Sequence, residues 1–264
     1  MEAVAATTDY ETWARAFHGH AFRRRSAERD AAFLLPHLTA GQRLLDLGCG
    51  PGTITEGLAA RTEPGQAVGL DQDREFVEAA SEKSSRSNLR FQVGDAAALP
   101  FEDDSFDVVF AHALLQHVAS PGAVLSEVRR VLRPGGVAAV ADADLDGFLL
   151  HPQTESLRAA VALDRRTRRN PDVGRRLVAL LVDAGISDVE LTIVPSVVVG
   201  PDQAMRMAEA SATRFEAPPF AARAVDEGWA TSEQLTDMAA AWRSWGQEPG
   251  AVFVTQWCQA LGRG

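Results

Sequence analysis

Lysine is almost missing from this chain: of 264 residues only Lys83 is one, and every other basic side chain is arginine or histidine. Acids outnumber lysine and arginine, 36 against 26, for a formal charge of −10. That balance opposes general affinity for nucleic acid, because phosphate contact needs a basic footprint that releases counterions. Cysteine is as scarce. Cys49 and Cys258 alone exclude a disulfide framework and any four-cysteine zinc site. No uncharged stretch is long enough to cross a bilayer, and the opening MEAVAATTDYETWARAF carries acids where a signal peptide needs an apolar core. A cytoplasmic protein without a membrane partner is the expectation. The surplus of alanine and arginine fits a GC-rich bacterial genome and concerns codon usage, not mechanism. The length suits one large α/β domain, or a domain with a modest cap, and leaves a homodimer open.

Hydrophobic period supplies the organisation. Amphipathic helical spacing over Tyr10 to Phe22 and Ser26 to His37 predicts N-terminal lid helices across 1–38. From residue 39 the pattern predicts strands at Arg43–Leu47, Ala67–Leu70, Leu89–Val93, Phe106–Ala111 and Val137–Ala141. Between them lie helices at Thr53–Arg61, Arg74–Glu82 and Pro121–Leu132, and a turn at Arg133-Pro134-Gly135-Gly136. Strands alternating with helices at this pace imply parallel βαβ units in a doubly wound sheet. The alternation breaks after Asp144. A helix over the arginine-rich Thr154–Gly174, another over Arg175–Ala184 capped by Gly185, strands at Asp188–Val199 and Ala251–Ala260, and helical Pro201–Gly246 interrupted at Pro218-Pro219 complete the reading. Cap insertions are expected at about 145–175 and 201–246, over the carboxyl edge of the sheet where open α/β folds bind ligands.

Chemistry concentrates at the strand ends. Leu44-Leu45-Asp46-Leu47-Gly48-Cys49-Gly50-Pro51-Gly52 is a glycine-rich turn into a helix, where the backbone bends sharply and a ligand can approach it. A dinucleotide fingerprint wants its third glycine where Thr53 stands, one residue later than Gly52, which disfavours a pyrophosphate site. Val68-Gly69-Leu70-Asp71 places a carboxylate about 20 residues beyond the turn, suited to ribose hydroxyls. That cue selects an adenosine ligand without choosing which. Gly94-Asp95-Ala96-Ala97 ends a third strand. Cys49 has no partner base and reads as a small side chain.

The order of these motifs with Leu99-Pro100-Phe101, Ser105-Phe106-Asp107-Val108-Val109 and Leu132-Arg133-Pro134-Gly135-Gly136 resembles the small-molecule class I methyltransferases dependent on S-adenosylmethionine (SAM), including the ubiquinone and menaquinone biosynthesis type. The resemblance is dense from Arg43 to Asp142. It implies a Rossmann-like, mostly parallel seven-strand sheet with helical cap insertions, SAM as cofactor and S-adenosylhomocysteine as product. By the resemblance, Gly48, Cys49 and Gly50 lie against the methionine moiety and ribose, with Asp46 supporting the turn and reaching toward the amino group. Asp71 takes the ribose hydroxyls, Gln72 flanks the adenine, and Asp95 and the Ala96 N–H meet its edge. Ala111, His112, Gln116 and His117 line the floor, while Tyr10, His20 and Arg25 are lid residues. Methyl transfer needs no metal, and alignment with exclusion of water supplies much of the rate. A general base serves hydroxyl or acidic carbon acceptors, and His112 and His117, the latter on a short helix, are the candidates.

Acceptor contacts are expected from Asp142–His151, the arginine-rich helix and Met205–Trp229. The arginines 158, 165, 166, 168, 169, 175 and 176 read more simply as a solvated face, and Trp229, Trp242, Trp245 and Trp257 as core packing with an aromatic acceptor wall as the alternative. A small-molecule O, N or C acceptor in specialised metabolism is the expected substrate class. A SAM-bound cyclase or isomerase, a non-catalytic SAM-binding subunit and a dehydrogenase are the competing classes.

Overall fold

Short apolar runs without alternation, such as the fully buried Leu44–Leu47, form strands that must be covered on both faces, and the amphipathic segments between them supply the cover. The computed structural model describes residues 25–264. The helix expected over Tyr10 to Phe22, and with it Tyr10 and His20, lies outside the described residues.

In chain order the elements are α1 (Ala27–Asp30), a 3-10 turn (Leu35–His37), β1 (Leu44–Leu47), α2 (Thr53–Thr62), β2 (Ala67–Asp71), α3 (Arg74–Lys83), β3 (Leu89–Val93), β4 (Phe106–His112), α4 (Pro121–Val131) and β5 (Leu132–His151). Then follow α5 (Glu155–Arg166), α6 (Val173–Asp183), β6 (Ser187–Val199), α7 (Pro201–Glu216), α8 (Pro218–Asp226), α9 (Ser232–Gly246) and β7 (Val252–Arg263). The sheet order is β3-β2-β1-β4-β5-β7-β6. The pairs β1–β2, β1–β4, β2–β3 and β4–β5 are parallel, and the whole sheet is mixed, the class I methyltransferase arrangement. The order reverses between β1 and β4, so the crevice beyond their carboxyl ends is the switch point at which such sheets bind ligands.

Three expectations change. The helix over Ser26 to His37 is instead one α turn and one 3-10 turn, since Pro36 has no N–H to continue an α ladder. The turn at Arg133 to Gly136 and the strand after it are one strand, β5. Leu132 pairs with Phe106 and Val137 with Val108, so the extra residues are absorbed as a register shift, with Gly135 at φ 76°. The helical stretch Thr154–Gly174 stops at Arg166, where the Thr167 hydroxyl bonds back to the Asp164 carbonyl, and α6 restarts at Val173.

The chain divides into two units. One contains 25–143, Asp172–Val194 and Trp257–Gly264. Its sheet is packed on one face by Leu45, Val109, Leu125, Val128, Leu177 and Leu181, and on the other by Leu34, Leu44, Leu58, Phe110 and Ala139. The other contains Asp144–Pro171 and Pro195–Gln256, and its core is built by α5, α7, α8 and α9 around Ala160, Ala208, Phe215, Trp242 and Trp245. Thr154 caps α5 and Thr231 forms a capping box with Gln234 on α9. Among the described residues no helix is long and apolar enough to cross a membrane.

Candidate functional site

The bend after β1 is the first component. Gly48, Gly50 and Gly52 have φ of 68°, 52° and 75°, the left-handed region that favours glycine. Their surroundings differ. A Cβ on Gly48 would lie 2.9 Å from Leu114 Cδ1 and one on Gly52 2.6 Å from Phe91 Cζ, whereas one on Gly50 would meet nothing within 4 Å. Gly48 and Gly52 are therefore glycine because the protein itself packs there, whereas Gly50 is buried with no described atom where a side chain would stand. The bend is tied to β2 by the Gly48 and Cys49 N–H groups, which donate to the Leu70 carbonyl at 2.8 and 3.1 Å.

Two carboxylates frame the bend. Asp71, at the tip of β2, accepts the Gly50 N–H on Oδ2 at 2.8 Å and the Asp73 N–H on Oδ1 at 2.9 Å. Burial raises the Asp71 pKa, and the N–H donors of Asp73, Gly50 and Gln72 offset part of that rise. A carboxylate has about four lone-pair sites, so room remains for a further donor. Asp46, under the bend, is 3% exposed and accepts the Thr55 hydroxyl at 2.6 Å. Burial pushes its pKa up to about 7; the Thr55 bond opposes this and the charge of Asp71 adds to it. Cys49 is pushed well above the ordinary thiol range by burial and by both carboxylates, so its sulfur is no nucleophile.

The third strand tip follows directly, because the Gly94 N–H donates to the Asp71 carbonyl at 3.0 Å. Asp95 is exposed and its Oδ1 accepts the Ala97 N–H at 2.8 Å, which fixes the turn containing the buried Ala96. Gln72 is exposed beside Asp71.

Past β4 the expectations are met unevenly. Ala111 pairs with Leu47 and Val140, and its side chain belongs to the sheet core, leaving only its backbone for a pocket floor. His112 stacks on Trp257 at 4.7 Å between ring centroids and lies 6.4 Å from Phe110. Its Nδ1 is buried and has no hydrogen-bond partner among the described residues. Burial, then the charges of Arg25 and Arg29, depress its pKa to about 3. His112 is therefore held neutral and is a weak proton acceptor, not the near-neutral base the sequence suggested. Gln116 and His117 sit in a turn over 115–117, not on a helix. Arg25 is the one expected lid residue that is described, and its charge is felt at His112.

Asp142 holds that turn. It is fully buried, accepts the Leu115 N–H on Oδ2 at 2.7 Å, and burial raises its pKa to about 7, which the nearby N–H groups of Leu115, Gln116, Leu114 and Ala143 oppose. The carboxylate thus supports the segment carrying Gln116 and His117 and is not an acceptor contact, as Asp142 was expected to be. Thr55 and Asp142 are the two supports that sequence reasoning missed. The available signal was a polar side chain at an otherwise apolar helix or strand position, which a buried partner explains. Of the arginine-rich stretch, Arg165 pairs with Asp146 and Arg176 with Asp172.

This geometry has known counterparts. Residues 45–140 match the methyltransferase domain family, and they lie in the part of the sheet that has the class I methyltransferase arrangement. An uncharacterized methyltransferase of Schizosaccharomyces pombe is 33% identical over 172 residues, covering 61% of this chain and 62% of that protein. The 27-O-demethylrifamycin SV methyltransferase of Amycolatopsis mediterranei is 35% identical over 154 residues, covering 57% and 52%. The chain spans about half the length of the curated relatives it matches. Among solved structures, the YcgJ protein of Bacillus subtilis superposes with a TM-score of 0.62 at 20% identity, over 89% of this chain and 98% of that one, a likeness of fold.

Proposed function

We propose that this chain is a SAM-dependent methyltransferase acting on an O, N or C atom of a small molecule, with S-adenosylhomocysteine as its product. The observation that carries the reading is the bare backbone at Gly50, hydrogen-bonded to Asp71 beside the buried Asp46, at the sheet's switch point. When bound, SAM supplies an electrophilic methyl group on a sulfonium. The chain's own part is to bind, orient and exclude water. Asp71 would use its remaining lone pairs for the ribose hydroxyls. The Gly48 to Gly50 backbone would run along the methionine moiety and Asp46 would meet its ammonium. Gln72, Asp95 and the Ala96 N–H would hold the adenine.

Gln116 and His117, braced by Asp142, would face the acceptor together with neutral His112, and Arg25 would close over the cofactor. His117 is then the base for a hydroxyl or acidic carbon acceptor, since His112, with its pKa depressed to about 3, is too weakly basic to hold the proton. The rifamycin-type relative supports specialised metabolism as the setting. The motifs that favour the quinone biosynthesis type lie between 43 and 142 and do not extend into the helical unit.

Two experiments test the reading. In calorimetry with SAM and NAD side by side, SAM is expected to bind and NAD to fail; tight NAD binding without SAM binding overturns it. Incubation with methyl-labelled SAM and candidate acceptors is expected to place label in product. Conversion without label would instead identify a SAM-bound cyclase or isomerase, and affinity without turnover a binding subunit.

A further inference from the structure

The helical unit holds a partly open cavity of about 140 Å³, lined by none of the residues of the adenosine site. Phe148, Val161, Met207, Phe215, Trp242 and Phe253 supply its apolar walls. An apolar space of roughly 150 Å³ holds a benzene-sized ring. The charges on its wall are already matched: Arg214 pairs with Asp164 and also donates to the Thr167 hydroxyl at 2.9 Å, and Arg165 pairs with Asp146. An ionic guest would find no uncompensated counter-charge there, which selects a neutral one.

One aromatic donor on this wall has no hydrogen-bond partner among the described residues. Trp242 and Trp245 stand side by side on α9, ring centroids 5.5 Å apart and edge to face. The Trp245 indole N–H donates to the His151 carbonyl at 2.9 Å, as a buried donor should. Trp242, 4% exposed and bordering the cavity, has an equally buried Nε1 with no hydrogen-bond partner among the described residues. A buried donor left unmatched is unfavourable, and it is relieved by a guest that brings an acceptor.

We propose that this cavity binds the ring-sized, neutral, apolar part of a small molecule whose hydrogen-bond acceptor takes the Trp242 indole N–H, with the Ser211 and Thr255 hydroxyls on the same wall completing the polar edge. The inference concerns binding alone and does not rest on methyl transfer, so its failure and that of the proposed function are separable.

The test titrates the full chain with acetophenone, which has a ring and a carbonyl acceptor, and with α-methylstyrene, its shape analogue without the acceptor. Both are followed by calorimetry beside a SAM titration as reference. Saturable binding of both is expected, with acetophenone the tighter. Trp242→Phe should weaken acetophenone about two- to tenfold, the range for one neutral hydrogen bond, and leave α-methylstyrene unchanged. Val161→Phe, which fills the cavity, should abolish both while SAM affinity stays as it was. Where Val161→Phe fails to fold, Ser211→Leu serves with the same readout. Absence of binding by either probe, binding that survives filling, or equal loss of both probes in Trp242→Phe overturns the proposal.

Discussion

Replacing Asp71 with alanine tests the adenosine site most directly. The carboxylate accepts two backbone N–H groups, Gly50 at 2.8 Å and Asp73 at 2.9 Å, and is proposed to accept ribose hydroxyls on its remaining lone pairs. Hydrogen bonds to a charged group contribute about 1.5–3 kcal/mol each, and the variant loses these two and the Gln72 N–H contact as well. Water can reach the bend once the side chain is gone, because Asp71 is only partly covered, so part of the stability loss is recovered. The ribose contact is not recovered, because no other carboxylate is bonded at that position. SAM affinity should therefore fall by about 1–3 kcal/mol, roughly 5- to 150-fold, while the thermal midpoint drops modestly and cooperatively. Calorimetry with SAM and a far-UV melt on the same preparation measure the two quantities. A folded Asp71→Ala protein that binds SAM within a factor of two of the parent would show that the ribose lies elsewhere.

Gly48→Ala and Gly50→Ala should separate packing from binding. Both strain a left-handed backbone, at about 1–2 kcal/mol. Only the first also drives a Cβ to 2.9 Å from Leu114, so it should be the less stable in urea, whereas Gly50→Ala should lose SAM affinity in excess of its stability loss. For Asp142, the folded pKa of about 7 lies above the unfolded 3.8. Its contribution is thus fully present below pH 3.8 and is lost as pH rises through 7, by up to roughly 4 kcal/mol. Urea unfolding at pH 5 and 7.5 should show the parent losing stability relative to Asp142→Asn over that window, and parallel curves would refute the assignment. His112→Phe, which keeps the stack on Trp257, should leave kcat nearly unchanged, while His117→Gln should lower it about a hundredfold or more, the contribution of a general base. A loss of that size on His112→Phe instead would reverse the two roles.

The parts of the fold legible from the residues are those governed by local rules. Strand β3 is Leu89–Val93 as its apolar run indicates, and α2, α3 and α4 fall within about a residue of their periodic patterns. The misreadings share a cause: tertiary partners overrode a local signal. Arg133 to Gly136 carries strong turn chemistry, yet the Gly135 N–H finds the Gly264 carbonyl at 2.9 Å and the Gly264 N–H finds Gly136 at 3.0 Å, which keeps the segment in the sheet. No local pattern could reveal that. The same holds for the candidate site. Its glycines and Asp71 are legible because bend and strand-end carboxylate have fixed spacing. The neutrality of His112, by contrast, depends on its burial and on the charges of Arg25 and Arg29, 87 and 83 positions away along the chain (112 − 25 and 112 − 29).

The electrostatics of the bend make a last prediction that a neutral ligand could not satisfy. Burial and the charge of Asp71 raise Asp46 to about 7, and no basic side chain among the described residues opposes them. The cation that would ionise it has to arrive with the ligand. An ammonium placed against Asp46 lowers the carboxylate's pKa, so binding below or near pH 7 expels a proton, and affinity rises with pH until it levels off above 7. At pH 6.5 a group of pKa 7 is about three-quarters protonated, so SAM binding should release up to roughly 0.75 proton. Calorimetry in two buffers of different ionisation enthalpy reads that number directly. S-adenosylhomocysteine, which keeps the ammonium, should show the same release, and adenosine, which lacks it, should show none. Asp46→Asn should abolish the release for both charged ligands while still binding adenosine. Proton release that persists in that variant, or none in the parent, would mean the ammonium is met by another group and that Asp46 serves only the bend.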